Sequence, residues 1–213
     1  MINVLNAGYV KLLDSMGGDK SIVEGARVCF NTGGNNLADR KLIQMLIREK
    51  HNSPLEHCTM TFEVKLPLFV RDHWVRHRIG MSYNIKSLRY CEAEPEFFIP
   101  QELKIGSEEY KQWVTASESS INDYLTWVEC FFKKGMSNLR SRELARTKLP
   151  TEIYTKMIVT MNAASLIHFL NLRDNAHAQP ETQLYAKALL QLAKRVAPVT
   201  FTSYEMLKLK REI

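Results

Sequence analysis

The sequence predicts a mixed α/β (α+β) fold, in which a mixed sheet is flanked by helices and one helix is long and amphipathic. Two patterns carry this prediction: a strictly alternating strand at 58–66 and a helical repeat of apolar residues at 107–134. The chain has 213 residues, of which 45% are hydrophobic and 24% charged. This composition is typical of a folded protein, and the length suits one domain over residues 1–213, or at most two small ones.

The clearest strand covers residues 58–66, where apolar residues occupy every second position. This period of two is the pattern of a strand with one buried face. Pro67 ends the strand and suits the first turn of a helix that runs into Trp74 and Arg78. Residues 80–84 are then predicted to form a loop, and residues 87–99 an extended segment interrupted by acidic residues and Pro95.

Apolar residues at a mostly 3-4 spacing predict the long helix over 107–134, which Gly135 ends. Its aromatic residues are interpreted as core or subunit interface, not as a base-stacking platform. A short helix at 138–147 and a strand at 153–161 follow, and Asn162 is a good N-cap for a helix through Arg173. The other predicted elements are a helix at 20–28, a loop at 31–36, a helical segment up to Lys50, a turn at 51–57, a loop at 174–179 and a last helix from Pro180 to about Val196.

Composition and motif spacing exclude several classes of protein. No window approaches the roughly 18 consecutive apolar residues of a membrane helix, and the first residues lack the pattern of a secretory signal. The six histidines have no HxH or HExxH spacing, which argues against a zinc site. The cysteines also lack metal-binding spacing and are predicted to be reduced thiols in a cytoplasmic protein; they are Cys29, Cys58, Cys91 and Cys130.

The net charge of +6 is concentrated between residues 71 and 89. That window contains one acid, Asp72, and the basic residues Arg71, Arg76, Arg78, Lys86 and Arg89. One dense positive segment favours a local anionic ligand over a broad nucleic-acid surface. A basic nucleic-acid-binding module is the alternative that the charge suggests, but the segment is short and has no interleaved exposed aromatics.

Several arginines are candidates for anion binding. Arg76-His77-Arg78 is placed at a helix end, where the side chains can fan out around one ligand; the alternative is a basic helix end that complements the helix dipole. The following stretch from 82 to 89 could form a phosphate-binding nest of backbone amides. Arg146 and Arg173 each end a helix with an apolar face, and an ordinary surface arginine is the alternative for both.

The run RHRIGMSYNIKSLRY at 76–90 resembles the signature of the flavin-dependent thymidylate synthases, the ThyX family. Five further segments resemble the same family in the same order: GARVCF (25–30), HNSPLEH (51–57), RELAR with LP (142–150), YT with a following Asn (154–162), and NLR followed by HAQ (171–179). The resemblance implies a ThyX-like homotetramer with active sites where subunits meet. It also implies conversion of dUMP to dTMP with 5,10-methylenetetrahydrofolate and NADPH through FAD, without a cysteine nucleophile.

The resemblance also implies roles for individual residues. The implied FAD contacts are Ser53, Arg76, His77, Arg78, Asn162 and His168. The implied substrate contacts are His73, Arg76, Lys86, Ser87, Leu88, Arg89, Arg146 and Arg173. Arg173 is the implied catalytic residue, because a fixed cation at the uracil edge stabilises negative charge on N3 and O4 and makes C5 a better nucleophile. The expected partners are dUMP and folate, with no nucleic acid, membrane or metal.

Several positions depart from the family's usual pattern, and two of them bear on the choice of nucleotide. Ile85 stands where a Glu is common, and His73 stands where a Gln is usual. These departures leave open a related flavoenzyme that methylates or hydroxymethylates another pyrimidine nucleotide.

Overall fold

The computed structural model describes residues 1–28 and 36–210. The strands are β1 (Ile2–Val4), β2 (Gly8–Met16), β3 (Thr59–Pro67), β4 (Met81–Ile85) and β5 (Tyr154–Asn162). The helices are α1 (Asp19–Arg27), α2 (Asn36–Arg48), α3 (Leu68–Trp74), α4 (Glu108–Lys133), α5 (Asn138–Ala145), α6 (Ala163–Arg173), α7 (Pro180–Val196) and α8 (Pro198–Leu209). Two short 3₁₀ helices cover Ser53–His57 and Arg146–Lys148.

The strands form one five-stranded sheet in the order β1-β2-β3-β5-β4. The predicted α+β fold is confirmed. The predicted mixed sheet is wrong, because each pair of neighbouring strands in the described residues is antiparallel. Val159 on β5 lies opposite Phe62 on β3 and Tyr83 on β4. This register puts the alternating apolar residues of the three strands on one face, against the helices.

The core between the sheet and the helices is centred on aromatic residues. Trp74, at the end of α3, lies 4.7 Å from Phe169 of α6 and 6.3 Å from Tyr185 of α7, measured between ring centroids. The Tyr185 hydroxyl donates a 2.7 Å hydrogen bond to the backbone carbonyl of Lys65 on β3. These contacts attach α3, α6 and α7 to the sheet, and α6 carries part of the candidate site.

Most of the predicted elements are confirmed within a few residues. β3, β5, α1, α4, α5, α6 and α7 all lie where the sequence pattern predicts them. Asn162 caps α6, because its Oδ1 accepts a 2.8 Å hydrogen bond from the backbone N–H of Ser165. In α4, Tyr124 is fully buried whereas Trp127 and Phe132 are exposed in the single chain.

Four local predictions are wrong. Residues 81–85 form a strand and not a loop, because they pair with β5 along their whole length. α3 ends at Trp74, so Arg76, His77 and Arg78 lie beyond the helix. Residues 87–99 form no continuous extended strand: residues 88–90 are a turn, and the rest is irregular apart from one isolated bridge from Phe97 to Ile153. The last helix is α8 and not α7.

Some predictions concern residues outside the described ranges or the absence of a feature. Cys29 and residues 31–35 of the predicted loop at 31–36 lie outside the described residues. Asn36, the last residue of that predicted loop, begins α2. The other three cysteines are free thiols. In residues 1–28 and 36–210, no helix combines the length and apolar character needed to cross a bilayer, and no acidic, cysteine or histidine cluster is arranged to hold a metal ion.

Candidate active site

The Arg-His-Arg loop, residues 76–80, is fixed against the first turn of α6. Gly80 has φ +64°, and a Cβ atom at this position would overlap the Ser165 side chain and lie 3.2 Å from Asn162 Nδ2. The Ser165 hydroxyl donates a 3.0 Å hydrogen bond to the carbonyl of Ile79. Since Ser165 is buried, this contact holds the loop backbone to the helix that carries Asn162 and His168.

His77 is the buried member of this loop, with 8% of its surface exposed. Its ring packs 4.8 Å from Phe169 and 6.0 Å from His168, measured between centroids. The Tyr83 hydroxyl donates a 2.5 Å hydrogen bond to the His77 carbonyl. Burial, followed by the charges of Arg173 and His168, lowers the pKa of His77 to about 4. The imidazole is therefore neutral at physiological pH.

Arg173 is held by this neutral imidazole. Its Nε donates a 2.8 Å hydrogen bond to His77 Nε2. The acid next to it in sequence, Asp174, is engaged by Lys208, whose Nζ lies 2.6 Å from Asp174 Oδ2. In the part of the chain that the structure describes, no carboxylate pairs with Arg173. The guanidinium is thus fixed in place with its charge available to a ligand.

Ser53 and His168 lie on neighbouring elements. The 3₁₀ helix Ser53–His57 packs against α6, and the backbone N–H of Ala163 donates a 2.8 Å hydrogen bond to the Cys58 carbonyl just after it. The exposed His168 lines a cleft of about 160 Å³ together with Asn52. Ser53 lines an adjacent pocket of about 400 Å³. The structure therefore brings Ser53, Asn162, His168 and the Arg-His-Arg loop to one region around α6.

The remaining substrate candidates lie at the other end of β4. Lys86 donates a 2.8 Å hydrogen bond to Glu94, and the backbone N–H of Arg89 donates a 3.3 Å bond to the Ser87 hydroxyl. The Arg89 guanidinium pairs with Glu143 of α5 at 2.5 Å. The segment therefore docks on α5, which is followed directly by the 3₁₀ helix carrying the exposed Arg146. Leu88 lies in the same segment and is partly buried.

The predicted residues thus form two groups within one chain. The α6 group contains Ser53, Arg76, His77, Arg78, Asn162, His168 and Arg173. The Arg89 group contains Lys86, Ser87, Leu88, Arg89 and Arg146. β4, which is ~13 Å long, lies between them along the chain. His73 is exposed on the last turn of α3.

Four residues that shape these groups were not predicted from sequence. Ser165 and Tyr83 fix the Arg-His-Arg loop, whereas Glu143 and Glu94 hold Arg89 and Lys86. The hydrogen bond from Lys86, supported by Lys156 and opposed by burial, lowers the pKa of Glu94 to about 2. Of the four, only Tyr83 lies in a sequence pattern that indicates its placement: Met81, Tyr83 and Ile85 alternate with polar residues, as in a strand with one buried face.

Known sequences resemble this chain over most of its length. A family model described as "Thymidylate synthase complementing protein" matches residues 11–199. The chain is 40% identical over 207 residues to the flavin-dependent thymidylate synthase of Thermotoga neapolitana, covering 95% of this chain and 93% of that protein. It is 32% identical over 213 residues to the enzyme of the same name from Ehrlichia ruminantium, covering 94% of this chain and 71% of that protein.

The fold is also similar to solved structures. The UMP/dUMP methylase PolB from Streptomyces cacaoi bound with 5-Br dUMP superposes with a TM-score of 0.80 at 30% identity, covering 96% of this chain and 97% of PolB. The same methylase bound with 5-Br UMP gives a TM-score of 0.77 at 31% identity, with 96% of each chain covered.

Proposed function

This chain belongs to the family of flavin-dependent thymidylate synthases, and we propose that it methylates dUMP at C5 to give dTMP. We further propose 5,10-methylenetetrahydrofolate as the one-carbon donor, NADPH as the reductant and the cytoplasm as the location. The observation that carries the proposal is an arginine, Arg173, which is held by a neutral histidine and pairs with no acid among residues 1–28 and 36–210. Such a group suits the edge of a uracil ring, where negative charge develops as C5 becomes nucleophilic.

Arg173 is the proposed catalytic residue. Its guanidinium would donate hydrogen bonds to uracil and stabilise negative charge on N3 and O4, so that C5 attacks without a covalent bond to the protein. Cys58 is a poor candidate for a nucleophile. Cys58 is fully buried, and burial raises its pKa to about 11, so its thiolate is scarce at neutral pH.

The proposed phosphate site is the Arg89 group. A nucleotide monophosphate carries about two negative charges, and arginine forks and backbone amides bind such groups well. Arg146 is exposed and has no partner for its side chain among residues 1–28 and 36–210. Arg89 is already paired with Glu143, so a bound phosphate would share or displace that carboxylate.

The α6 group has the chemistry expected for holding FAD. Arg76 and Arg78 are exposed on a loop that Ser165 fixes, and neither pairs with an acid in the described residues. They would bind the cofactor's pyrophosphate, while Ser53, His168 and Asn162 would line the flavin. When bound, FAD would supply the hydride transfer that reduces the one-carbon unit. The protein residues would orient the nucleotide against it.

A homotetramer with shared active sites is part of the proposal. The α6 group and the Arg89 group lie at opposite ends of β4, so one chain offers a uracil site and a phosphate site that are apart. A second copy of the chain could bring its own Arg89 group to the α6 group of the first. This arrangement agrees with the exposed Trp127 and Phe132 of α4, which were interpreted as core or interface.

The test is spectroscopic and then chemical. The purified protein should be yellow, NADPH should bleach the flavin while dUMP is bound, and mass analysis should detect dTMP. Arg173→Ala should keep the flavin spectrum and lose product, whereas Arg173→Lys should recover part of the rate, because a point charge lacks the guanidinium fork. A colourless protein that takes up no FAD would overturn the proposal.

A second candidate has the same chemistry on a different nucleotide. PolB is described as a UMP/dUMP methylase and was solved with analogues of both nucleotides. Ile85 and His73 are the two departures that could alter nucleotide choice. Product masses from dUMP, UMP and dCMP, each supplied alone, separate the candidates. Turnover of dUMP alone would remove the second one.

A further inference from the structure

We propose that His77 is a positioning residue for Arg173: an uncharged acceptor that fixes the guanidinium while leaving its positive charge for the ligand. The identity of that ligand, a uracil nucleotide, rests on the proposed function. The positioning itself rests on the contacts between α6 and the Arg-His-Arg loop. It assigns to His77 a role that does not require contact with a cofactor.

The hydrogen bond determines which donors of Arg173 remain. A guanidinium has five N–H donors in a rigid plane, and the single Nε–H is used by His77 Nε2 at 2.8 Å. Both terminal nitrogens therefore keep their hydrogens for other acceptors. Since Nε2 is the acceptor, the proton of the neutral ring must lie on Nδ1. The plane of the guanidinium is fixed by a bond that consumes none of its terminal donors.

A carboxylate in place of His77 would fix the arginine equally well but would neutralise it. The same chain shows that arrangement elsewhere, where Arg89 pairs with Glu143. At Arg173 the neighbouring acid is Asp174, and Lys208 engages both its carboxylate and its backbone carbonyl. Two separate features, a neutral acceptor and an acid engaged by Lys208, therefore leave the charge of Arg173 without a carboxylate partner among the described residues.

The surroundings of His77 keep the imidazole neutral. The charged or titratable groups that face it are Arg173 and His168, both of which disfavour an imidazolium. Phe169 covers the ring, and Tyr83 donates to the backbone carbonyl and not to the ring. Protonation of His77 would turn its acceptor nitrogen Nε2 into a donor and would place an imidazolium in contact with the Arg173 guanidinium. The pKa near 4 means that this does not occur above about pH 5.

The first test measures the pair without reference to function. In the full-length protein with ¹⁵N-labelled histidine, the His77 signals are assigned by their loss in His77→Gln. We expect a neutral ring with the proton on Nδ1 that titrates below pH 5, and a pKa that rises in Arg173→Ala. A His77 that titrates near its ordinary value of 6.5, or that is unaffected by Arg173→Ala, would overturn the positioning role.

The second test measures dUMP binding by calorimetry in matched variants. His77→Gln keeps a neutral acceptor and should bind within about threefold of the wild type, whereas His77→Glu supplies an acid and should bind at least about tenfold more weakly. In an Arg173→Ala background the two variants should bind equally. This convergence is specific to a residue that acts through Arg173, since a general packing role for His77 would persist without the arginine.

Thermal unfolding and the flavin spectrum of each variant identify any that fail to fold. If His77→Glu does not fold, His77→Met, which has the bulk without a comparable acceptor, takes its place and should bind more weakly than His77→Gln. The proposal would be refuted if His77→Gln and its comparison variant (His77→Glu or His77→Met) bound dUMP equally well. It would also be refuted if their difference in dUMP affinity persisted in the Arg173→Ala background. If the wild type binds no dUMP, the proposed function fails, and the titration alone decides the role of His77.

Discussion

Substituting Gly80 by Ala should destabilise the protein more than an ordinary glycine substitution, because two costs coincide at this position. The backbone has φ +64°, where a side chain is strained, and the new Cβ would overlap Ser165. Ser165 is buried and its hydroxyl holds the carbonyl of Ile79, so it cannot move without giving up that bond. The substitution therefore affects the anchor of the loop that carries Arg76, His77 and Arg78.

The size of the effect follows from its parts. A non-glycine residue in the left-handed region costs about 1–2 kcal/mol. Overpacking a filled site costs about 1–3 kcal/mol, and loss of the Ser165 bond to Ile79 adds about 1 kcal/mol. Gly135 offers a matched control, since it has φ +87° with nothing within 4 Å of a Cβ atom. Gly135→Ala should therefore cost the backbone strain alone.

Urea unfolding of both variants measures the difference in free energy of unfolding. Gly80→Ala should be less stable than Gly135→Ala by at least about 1–2 kcal/mol, and the deficit should shrink when Ser165→Ala is added to remove the collision. The flavin affinity of Gly80→Ala should also fall, whereas that of Gly135→Ala should not. Equal stabilities for the two single variants would show that the loop is not anchored as the contacts imply.

Three further predictions concern the supports of the site and fold. Tyr83→Phe removes the hydroxyl that donates to the His77 carbonyl and should lower the free energy of unfolding by about 1 kcal/mol in urea titrations. The pKa of Glu94 is lowered from 4.5 to about 2, so the ionised carboxylate stabilises the fold above pH 4.5 and this stabilisation is lost as the pH falls toward 2. Glu94→Gln should therefore flatten the pH dependence of the free energy of unfolding between these two pH values. Asp19→Ala removes the carboxylate that accepts hydrogen bonds from the Val199 and Thr200 amides at the start of α8. It should lower the melting temperature and reduce the free energy of unfolding by about 1–2 kcal/mol.

The elements that the sequence predicts correctly are those with local signals. The period of two in β3, the 3-4 spacing in α4 and the Asn162 cap each depend on residues within one element. The sequence predicts a loop at β4 because Gly80, Ser82 and Asn84 are residues typical of turns. Its strand conformation comes from pairing with β5, where Met81 lies opposite Met161.

α8 illustrates the same limitation at a helix start. Pro198 is suited to a first turn, but Thr200 and Thr202 lower the helix propensity of the segment. The helix is stabilised by Asp19, whose carboxylate accepts from the backbone of Val199 and from both the backbone and the hydroxyl of Thr200. A capping residue so distant along the chain leaves no local pattern to detect.

The sequence proposes members for the candidate site but does not predict their contacts. Resemblance to a family identified Arg173 and Arg89, while nothing in the sequence paired the first with His77 or the second with Glu143. These partners determine what each arginine can do, because one keeps its charge and the other shares it. Such pairings depend on packing between elements, which spacing along the chain does not encode.

The separation of the two groups leads to a prediction about the assembly. If a uracil site from one chain meets a phosphate site from another, Arg173→Ala and Arg146→Ala each inactivate a different half of the same shared site. Mixed oligomers of the two variants should then regain activity, because some sites receive Arg173 from one chain and Arg146 from its neighbour. With random mixing in equal amounts, about a quarter of the sites would be complete.

The experiment is to unfold or dissociate the two inactive proteins together, reassociate them, and compare dTMP formation with each variant treated alone. The matched control mixes Arg173→Ala with Arg173→Lys/Arg146→Ala, in which no chain carries the native Arg173 and recovery should be much lower. Sites contained within one chain would give no recovery in any mixture, because every chain lacks one of the two arginines. That result, from oligomers shown to have exchanged subunits, would mean that the 13 Å or so spanned by β4 is bridged by the ligand within a single chain, and the shared-site arrangement would be wrong.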